Sequence, residues 1–372
     1  MAKARGANLV TGFPAFSARR LVELLLERGE KVFLLCQAKF EKAAGELAAD
    51  AEQKGLAGRL VILVGDVLNI DMGLSGRELK QVAREVTRVH HIAAIYYLGV
   101  ASGLTERVNV DGTRNVLDVA SDLDRLERFV FHSTAFVAGD RTGVILEEEL
   151  EAGQGFRNAY ERTKFDAERL VRGHMKDLPI SVVRPSIIVG DSKTGRIDRM
   201  DGPYFLIRTI VNFPVDVALP LPEGGAYPLN MVPVDYVVQA ADLISRDPGA
   251  AGKTFHLTDP NPLPAHKVFD MVADNAGRKR PKGSIPSLAS KYLLRLPGVE
   301  MMLRPQRHFF EYFNRLTIYN CMNTLTSLAG TGVTCPTFPS YAATLVDFVK
   351  NQARQKAHSM AKAETEIEDA FY

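Results

Sequence analysis

Cysteine, surplus charge and glycine at one critical turn are what this chain of 372 residues has little of. Its three cysteines, Cys36, Cys321 and Cys335, form neither an even set nor a metal-ligand spacing, which argues against a disulfide framework and points to reduced thiols in a cytoplasmic protein. A net charge of +2 leaves no basic excess that would argue for nucleic acid. The one basic cluster, Arg278-Lys279-Arg280-Pro281-Lys282, reads first as a solvated loop, with contact to an anionic lipid or a carrier protein as the alternative. No apolar run reaches membrane-spanning length, and the opening MAKARGANLV carries no apolar leader core before the first strand. The expectation is a soluble cytoplasmic protein. There is no internal repeat, and His132, His256 and His266 are scattered without metal spacing.

Strand-like runs are present in quantity. Asn8–Val10, Val32–Cys36, Leu60–Val64, Val89–Ala93, Phe129–Ser133 and Ile180–Val183 alternate with helical patterns such as Leu79–Val86 and Thr105–Ala120. That alternation predicts an α/β fold, a Rossmann-like doubly wound parallel sheet with ligands at the carboxyl ends of its strands. Beyond Gly190 the texture turns Pro- and Gly-rich. It predicts a dinucleotide-binding domain over 1–190 with a returning segment near 228–260, a smaller interleaved substrate lobe over 191–350, and a tail over 351–372.

The first strand leads into Thr11-Gly12-Phe13-Pro14-Ala15-Phe16 and an amphipathic helix carrying Leu21, Val22, Leu24, Leu25 and Leu26. In such a turn a pyrophosphate rests on free helix N–H groups, and glycine matters wherever a side chain would block it. Only Gly12 is kept, with Ala15 and Ala18 at the later positions, the mildest replacements available. After the second strand an NAD site places an acid and an NADP site a basic residue. Gln37 stands there, no acid is present, and Lys39 or Arg19 is left to meet a 2′-phosphate. This favours NADP, with NAD open.

Tyr160-Glu161-Arg162-Thr163-Lys164 puts a phenol and an amine four residues apart, on one helix face, after the strand end Phe131-His132-Ser133-Thr134. A nearby ammonium is expected to bring the phenol down from about 10 toward a value useful for proton transfer. Thr134, or by a narrow margin Ser133, is expected to hold the substrate oxygen opposite. Together these groups suit moving a proton at a carbonyl oxygen while a cofactor moves hydride.

With Gly65-Asp66-Val67, Ala93-Ala94, Asn109-Val110-Asp111-Gly112-Thr113 and Arg184-Pro185-Ser186-Ile187-Ile188-Val189-Gly190 in register, the chain resembles an extended short-chain dehydrogenase/reductase. Within that superfamily it is most similar to the fatty acyl-CoA reductase and carrier-bound thioester reductase group, over roughly residues 8–260. The stretch Leu328–Pro336 is similar to the C-terminal part of acyl reductases. The resemblance implies that the first turn (Thr11, Gly12, Phe13, Pro14, Ala15, Phe16) and the second strand end (Gln37, Lys39) hold the cofactor. It also implies that Asp66 and Val67 contact adenine, that Ala93 and Ala94 lie against the cofactor, and that Pro185, Ile187 and Ile188 border the nicotinamide. The plainer readings are a loop aspartate capping a turn and two core alanines. Asn109 either pins or N-caps the helix running to Ala120.

The expected function is NADPH-dependent reduction of an apolar carbonyl, most of all a fatty acyl or carrier-bound thioester taken to aldehyde or alcohol. A ring alcohol/ketone dehydrogenase of hydroxysteroid type is the alternative, and a non-catalytic cofactor sensor the third reading. Tyr96-Tyr97-Leu98-Gly99 and Tyr204–Phe213 are candidate walls of an apolar cleft, or core. Leu288–Phe313 is a candidate acyl-chain cover or peripheral membrane contact, against packing on the main lobe. A homodimer stays open.

Overall fold

The computed structural model describes residues 6–96, 102–198, 203–212, 221–222, 225–285 and 316–369. The short apolar runs become the strands β1 (Ala7–Phe13), β2 (Val32–Cys36), β3 (Leu60–Val64), β4 (Val86–His91), β5 (Arg128–His132), β6 (Gly143–Ile145) and β7 (Ile180–Pro185). All but β6, joined at the far edge by Lys253–Leu257, form one parallel sheet in the order Lys253–Leu257, β7, β5, β4, β1, β2, β3. The expected Rossmann-like α/β fold is therefore observed, including the returning strand. Strand order reverses between β1 and β4, and at such a switch point a crevice opens beyond the carboxyl ends.

Successive residues of a strand face opposite sides, so each strand feeds two cores. Leu9, Phe33, Val89, Phe129 and Phe131 pack on one side, with Val116, Leu117 and Ala120 of helix α5 (Gly112–Ser121). Val10, Val32 and Leu34 pack on the other, with Ala18, Leu21, Val22 and Leu25 of helix α1 (Phe16–Glu27). Burial on both faces explains why β2, VFLLC, reads as an unbroken apolar run.

β4 ends at His91, two residues earlier than expected, and starts three earlier, over the polar Val86-Thr87-Arg88. The early end has a local cause: the N–H groups of Ile92 and Ala93 both donate to Thr11 Oγ1 at 3.2 Å and leave the ladder. After β3, Asp71 and Met72 take left-handed backbone angles (φ 54° and 55°), which cost an L-residue about 1–2 kcal/mol each. Met72 is buried, whereas Asp71 is exposed. Asp71→Gly should relieve strain against glycine's greater unfolded-state entropy and raise stability by up to about 1 kcal/mol. Urea denaturation checks this, and a lower midpoint would contradict it.

The chain divides into two compact units, 1–188 with 234–260 and 317–335, and 189–233 with 261–316 and 336–372. Residues 317–335, within the expected interleaved lobe over 191–350, belong to the first unit. Thr317–Tyr319 pairs with β6. The buried Glu147 then accepts from the backbone N–H of Asn323 (2.6 Å) and from the Thr324 hydroxyl (2.9 Å), as well as from the His256 N–H (2.8 Å). A carboxylate taken out of water demands such donors.

In the second unit the helices Pro203–Asn212, Ala265–Ala276 and Phe338–Asp369 pack together, the last running through most of the expected tail. The Tyr204 hydroxyl accepts from Gly190 N–H and donates to Gly195 carbonyl, both at 3.0 Å. Arg280 forms a two-pronged pair with Asp274 at 2.8 Å, and Arg278 donates to Val211 carbonyl, which gives two members of the basic cluster local partners. The cleft-wall and cover expectations at Tyr97, Leu98, Gly99, Phe213 and Leu288–Phe313 lie outside the described residues. Among the described residues no helix is long and apolar enough to cross a membrane.

Candidate active site

Gly12 closes β1 with φ 96°, and a Cβ there would stand 2.7 Å from the Ala93 nitrogen and 2.8 Å from the Ile92 carbonyl carbon. That position needs glycine for both conformation and space. Ala15 precedes α1 with φ −53°, open to any residue, and Ala18 is fully buried in the core beneath the helix. The two alanines therefore sit where a methyl is tolerated or used. No side chain caps the N-terminus of α1 and no acid occupies its first turn, so its free N–H groups keep their affinity for an anion. Phe13 is buried, Pro14 exposed and Phe16 half-buried.

A buried histidine unforeseen from the sequence ties this turn to its neighbours. The Thr113 hydroxyl donates to Asn109 carbonyl (2.6 Å), so it accepts from His91 Nε2 (3.0 Å). His91 Nδ1 is then the acceptor for the Thr11 hydroxyl (2.8 Å), whose oxygen receives the Ile92 and Ala93 N–H groups. Burial, then Lys164 and His132, push His91 down to about 3, which keeps this neutral tautomer.

Between the ends of β2 and β3, Gln37 Nε2 donates to Asp66 Oδ2 (2.6 Å), and Asp66 Oδ1 accepts from Leu68 N–H (3.0 Å). Asp66 thus caps its own turn. Val67 is buried against Gly112, where a Cβ would come within 2.9 Å of its Cγ2. Lys39 is exposed with its ammonium 4.9 Å above the Phe40 ring, whereas Arg19 is paired with Glu23 at 3.1 Å.

Helix α6 (Ala159–Gly173) starts at Asn158, whose side chain accepts from Glu161 N–H, and presents Tyr160, Lys164, Glu168 and Arg172 at intervals of four along one face. The Thr134 side chain is close enough to the Tyr160 phenol to favour its ionised form. Lys164 Nζ donates to His132 carbonyl (2.7 Å) and lies 4.2 Å from the centre of the Phe131 ring. Ser133 is turned away from this pair, donating to Glu168 Oε2 (2.6 Å). Of the two hydroxyls weighed from the sequence, Thr134 is the one that meets the phenol.

The charge balance differs from expectation. Burial pushes Tyr160 up to about 12, with the Thr134 side chain lowering it and Glu161 and Tyr96 raising it. The ammonium expected to lower it is spent on a backbone carbonyl and an aromatic face. Burial also pulls Lys164 down to about 7, with Glu168 opposing. The phenol is accordingly a protonated donor at neutral pH rather than a poised anion.

Asn109 does not N-cap a helix. It lies in a π-helical turn, Arg107–Asp111, between Ser102–Glu106 and α5. Its side chain accepts from Ile95 N–H (2.7 Å) and donates to Ile95 carbonyl (3.1 Å) and Thr163 hydroxyl (2.9 Å). It pins the segment holding Ala93, Ala94 and Tyr96 against α6. Pro185 pairs with Leu257, Ile187 is half-buried, and Ile188 packs on the core beneath β1. Between them Ser186 Oγ is buried without a hydrogen-bond partner among the described residues. The Gly12 cradle, the uncapped helix end and this orphaned hydroxyl fit a dinucleotide laid from α1 toward the Pro185–Ile188 segment.

Comparison with known proteins agrees with this geometry. The family model described as male sterility protein, an NAD-binding domain, matches residues 10–241. The alcohol-forming fatty acyl-CoA reductase of Simmondsia chinensis is 23% identical over 87% of this chain and 78% of its own length. The 3-beta-hydroxysteroid dehydrogenase of Mycolicibacterium neoaurum is 25% identical over 83% of this chain and 84% of its own. A linear gramicidin synthase of Brevibacillus parabrevis is 24% identical over 72% of this chain, which spans only 5% of that much longer protein. Among solved structures, the terminal R domain of the myxalamid biosynthetic pathway superposes with a TM-score of 0.80 at 24% identity, covering 95% of this chain and 92% of that one. At that identity the superposition speaks for the fold.

Proposed function

The chain belongs to the male sterility protein family of NAD-binding domains and is an NAD(P)-dependent oxidoreductase of the extended short-chain type, and from that premise we propose that it reduces an acyl thioester, CoA- or carrier-bound, with NADPH. The observation that carries the reading is the convergence of the Thr134 hydroxyl on a protonated Tyr160, with Lys164 buried one turn further along α6. When bound, the nicotinamide supplies the hydride. Thr134 and Tyr160 hold the thioester carbonyl oxygen from two sides and stabilise the charge that develops there. Tyr160 passes its proton to that oxygen, giving a hemithioacetal, which collapses to aldehyde and free thiol. A second turnover at the aldehyde would give the alcohol. Lys164, anchored by His132 carbonyl on the same helix face as Tyr160, adds positive charge to the site.

Lys39 is the cation we assign to the 2′-phosphate, since Arg19 is paired with Glu23 and Gln37 with Asp66. Lys39→Glu should weaken NADPH binding about tenfold or more and leave NADH binding within about twofold, the energy of one exposed charge-assisted contact. Titration of nicotinamide fluorescence measures both, and equal losses would remove Lys39 from that role.

The hydroxysteroid-type relative, matched over most of both chains, supports ketone reduction on an apolar ring as the second reading. Incubation with NADPH and either long-chain acyl-CoAs or ring ketones separates the two. The first predicts thiol release matching nicotinamide oxidation, and oxidation with ketones alone would overturn it. No rise in melting temperature with NADPH or NADH would remove both catalytic readings.

A further inference from the structure

The stripe along α6 continues past the catalytic pair. Glu168 is fully buried among polar groups from two strands and its own helix: Ser133 at the end of β5, Arg184 on β7, and Arg172 one turn along α6. Arg184, itself 1% exposed, grips both Glu168 oxygens through Nε (3.1 and 3.0 Å) and one through Nη2 (2.6 Å). Burial would raise the Glu168 carboxyl, but Arg184, Arg172 and Ser133 outweigh it and hold the group below its usual range.

Resting on the functional reading above, we propose that Glu168 is a positioning residue that acts on the reaction through two arms, bracing Ser133 so that the adjoining Thr134 faces Tyr160, and supplying the negative charge that keeps Lys164 an ammonium. Ser133 then serves as a strut rather than a substrate-binding hydroxyl. The first arm follows from geometry. A strand-end serine tied at 2.6 Å to a side chain locked by Arg184 has its rotation fixed, and with it the direction in which the next side chain leaves the backbone. The second follows from spacing, because Glu168 lies one turn from Lys164 on the same face. The other ionisable groups near this pair lie on three strands, and each is held neutral by burial first. His91 on β4 and His132 on β5 sit near Lys164, and His256 on Lys253–Leu257 sits near Glu168. None of them replaces the carboxylate.

The experiment compares wild type, Glu168→Gln and Ser133→Ala. Glutamine keeps an oxygen for Ser133 and Arg184 but removes the charge. Wild-type kcat should fall as pH rises through about 7, where Lys164 loses its proton. In Glu168→Gln this limb should move to lower pH. Ser133→Ala should lose about tenfold to hundredfold in kcat, the scale of a small misplacement, with KM for NADPH and the position of the limb unchanged. A purely structural Glu168 would lower the melting temperature of the Gln variant and leave the limb in place. The proposal is overturned by an unmoved limb in Glu168→Gln, or by kcat within twofold of wild type in Ser133→Ala. Should Glu168→Gln not fold, the Ser133→Ala result decides alone. NMR titration of 13Cε-lysine-labelled protein reads the Lys164 shift without turnover, so failure of wild type to reduce any thioester removes the functional reading and still leaves this inference to stand or fall.

Discussion

Tyr160→Phe lowers turnover about 10²–10⁴-fold, the usual contribution of a positioned acid, while NADPH still raises the melting temperature. The ring stays and only the proton goes. Because burial keeps this phenol protonated up to about 12, no other state of it competes at neutral pH. A variant retaining a tenth or more of wild-type kcat would mean that the proton comes from elsewhere.

Gly12→Ala should cost about 2–4 kcal/mol, from a left-handed backbone angle plus a methyl driven into the backbone after β4. The obstacle is the Ala93 nitrogen and Ile92 carbonyl carbon, which cannot rotate away as a side chain would. Displacing them also breaks their hydrogen bonds to Thr11 and, through it, the link to His91. The NADPH-induced rise in melting temperature should therefore vanish along with the lost stability. Gly45→Ala in helix Glu41–Gln53 is the matched control, with nothing within 4 Å of its new methyl, and it should gain about 0.5–1 kcal/mol from helix propensity. Scanning calorimetry of the two variants decides the point, and a Gly12→Ala protein as stable as its parent would refute the packing argument.

How much of this is legible in the sequence depends on how local the cause is. β2 and β3 are five-residue apolar runs with the expected bounds; β2 is buried on both faces, whereas β3 is a partly exposed edge strand whose apolar run alone marks it. β4 is misread at its start because Thr87 and Arg88 there are polar residues that a propensity argument excludes and that the sheet nevertheless buries, and at its end because the Ile92 and Ala93 N–H groups turn to Thr11. The shared face of Tyr160 and Lys164 follows from helical spacing alone. The choice between Ser133 and Thr134 does not, since it is made by Glu168 and Arg184, thirty-five and fifty-one positions away in the chain respectively. Asn109 looks like a cap only if the helix is taken to begin beside it. The π turn embeds it in a continuous run, and its partners, Ile95 and Thr163, lie on other segments. The family's glycine pattern needed the same correction: one position is obligatory and the others concern packing, which only the distance from Gly12 to Ala93 reveals.

The single carboxylate of Glu147, met by the N–H of Asn323 and the hydroxyl of Thr324, sets a timetable for biosynthesis. A ribosome making this protein releases every strand of the main sheet by Leu257, yet the buried acid waits for donors that emerge some seventy residues later. The nascent nucleotide-binding half therefore lingers incomplete while two of the three segments of its companion are translated. A version trimmed after the last sheet strand should be a poor folder and a ready client for chaperones, whereas ending just past Cys335 would supply the missing clasp.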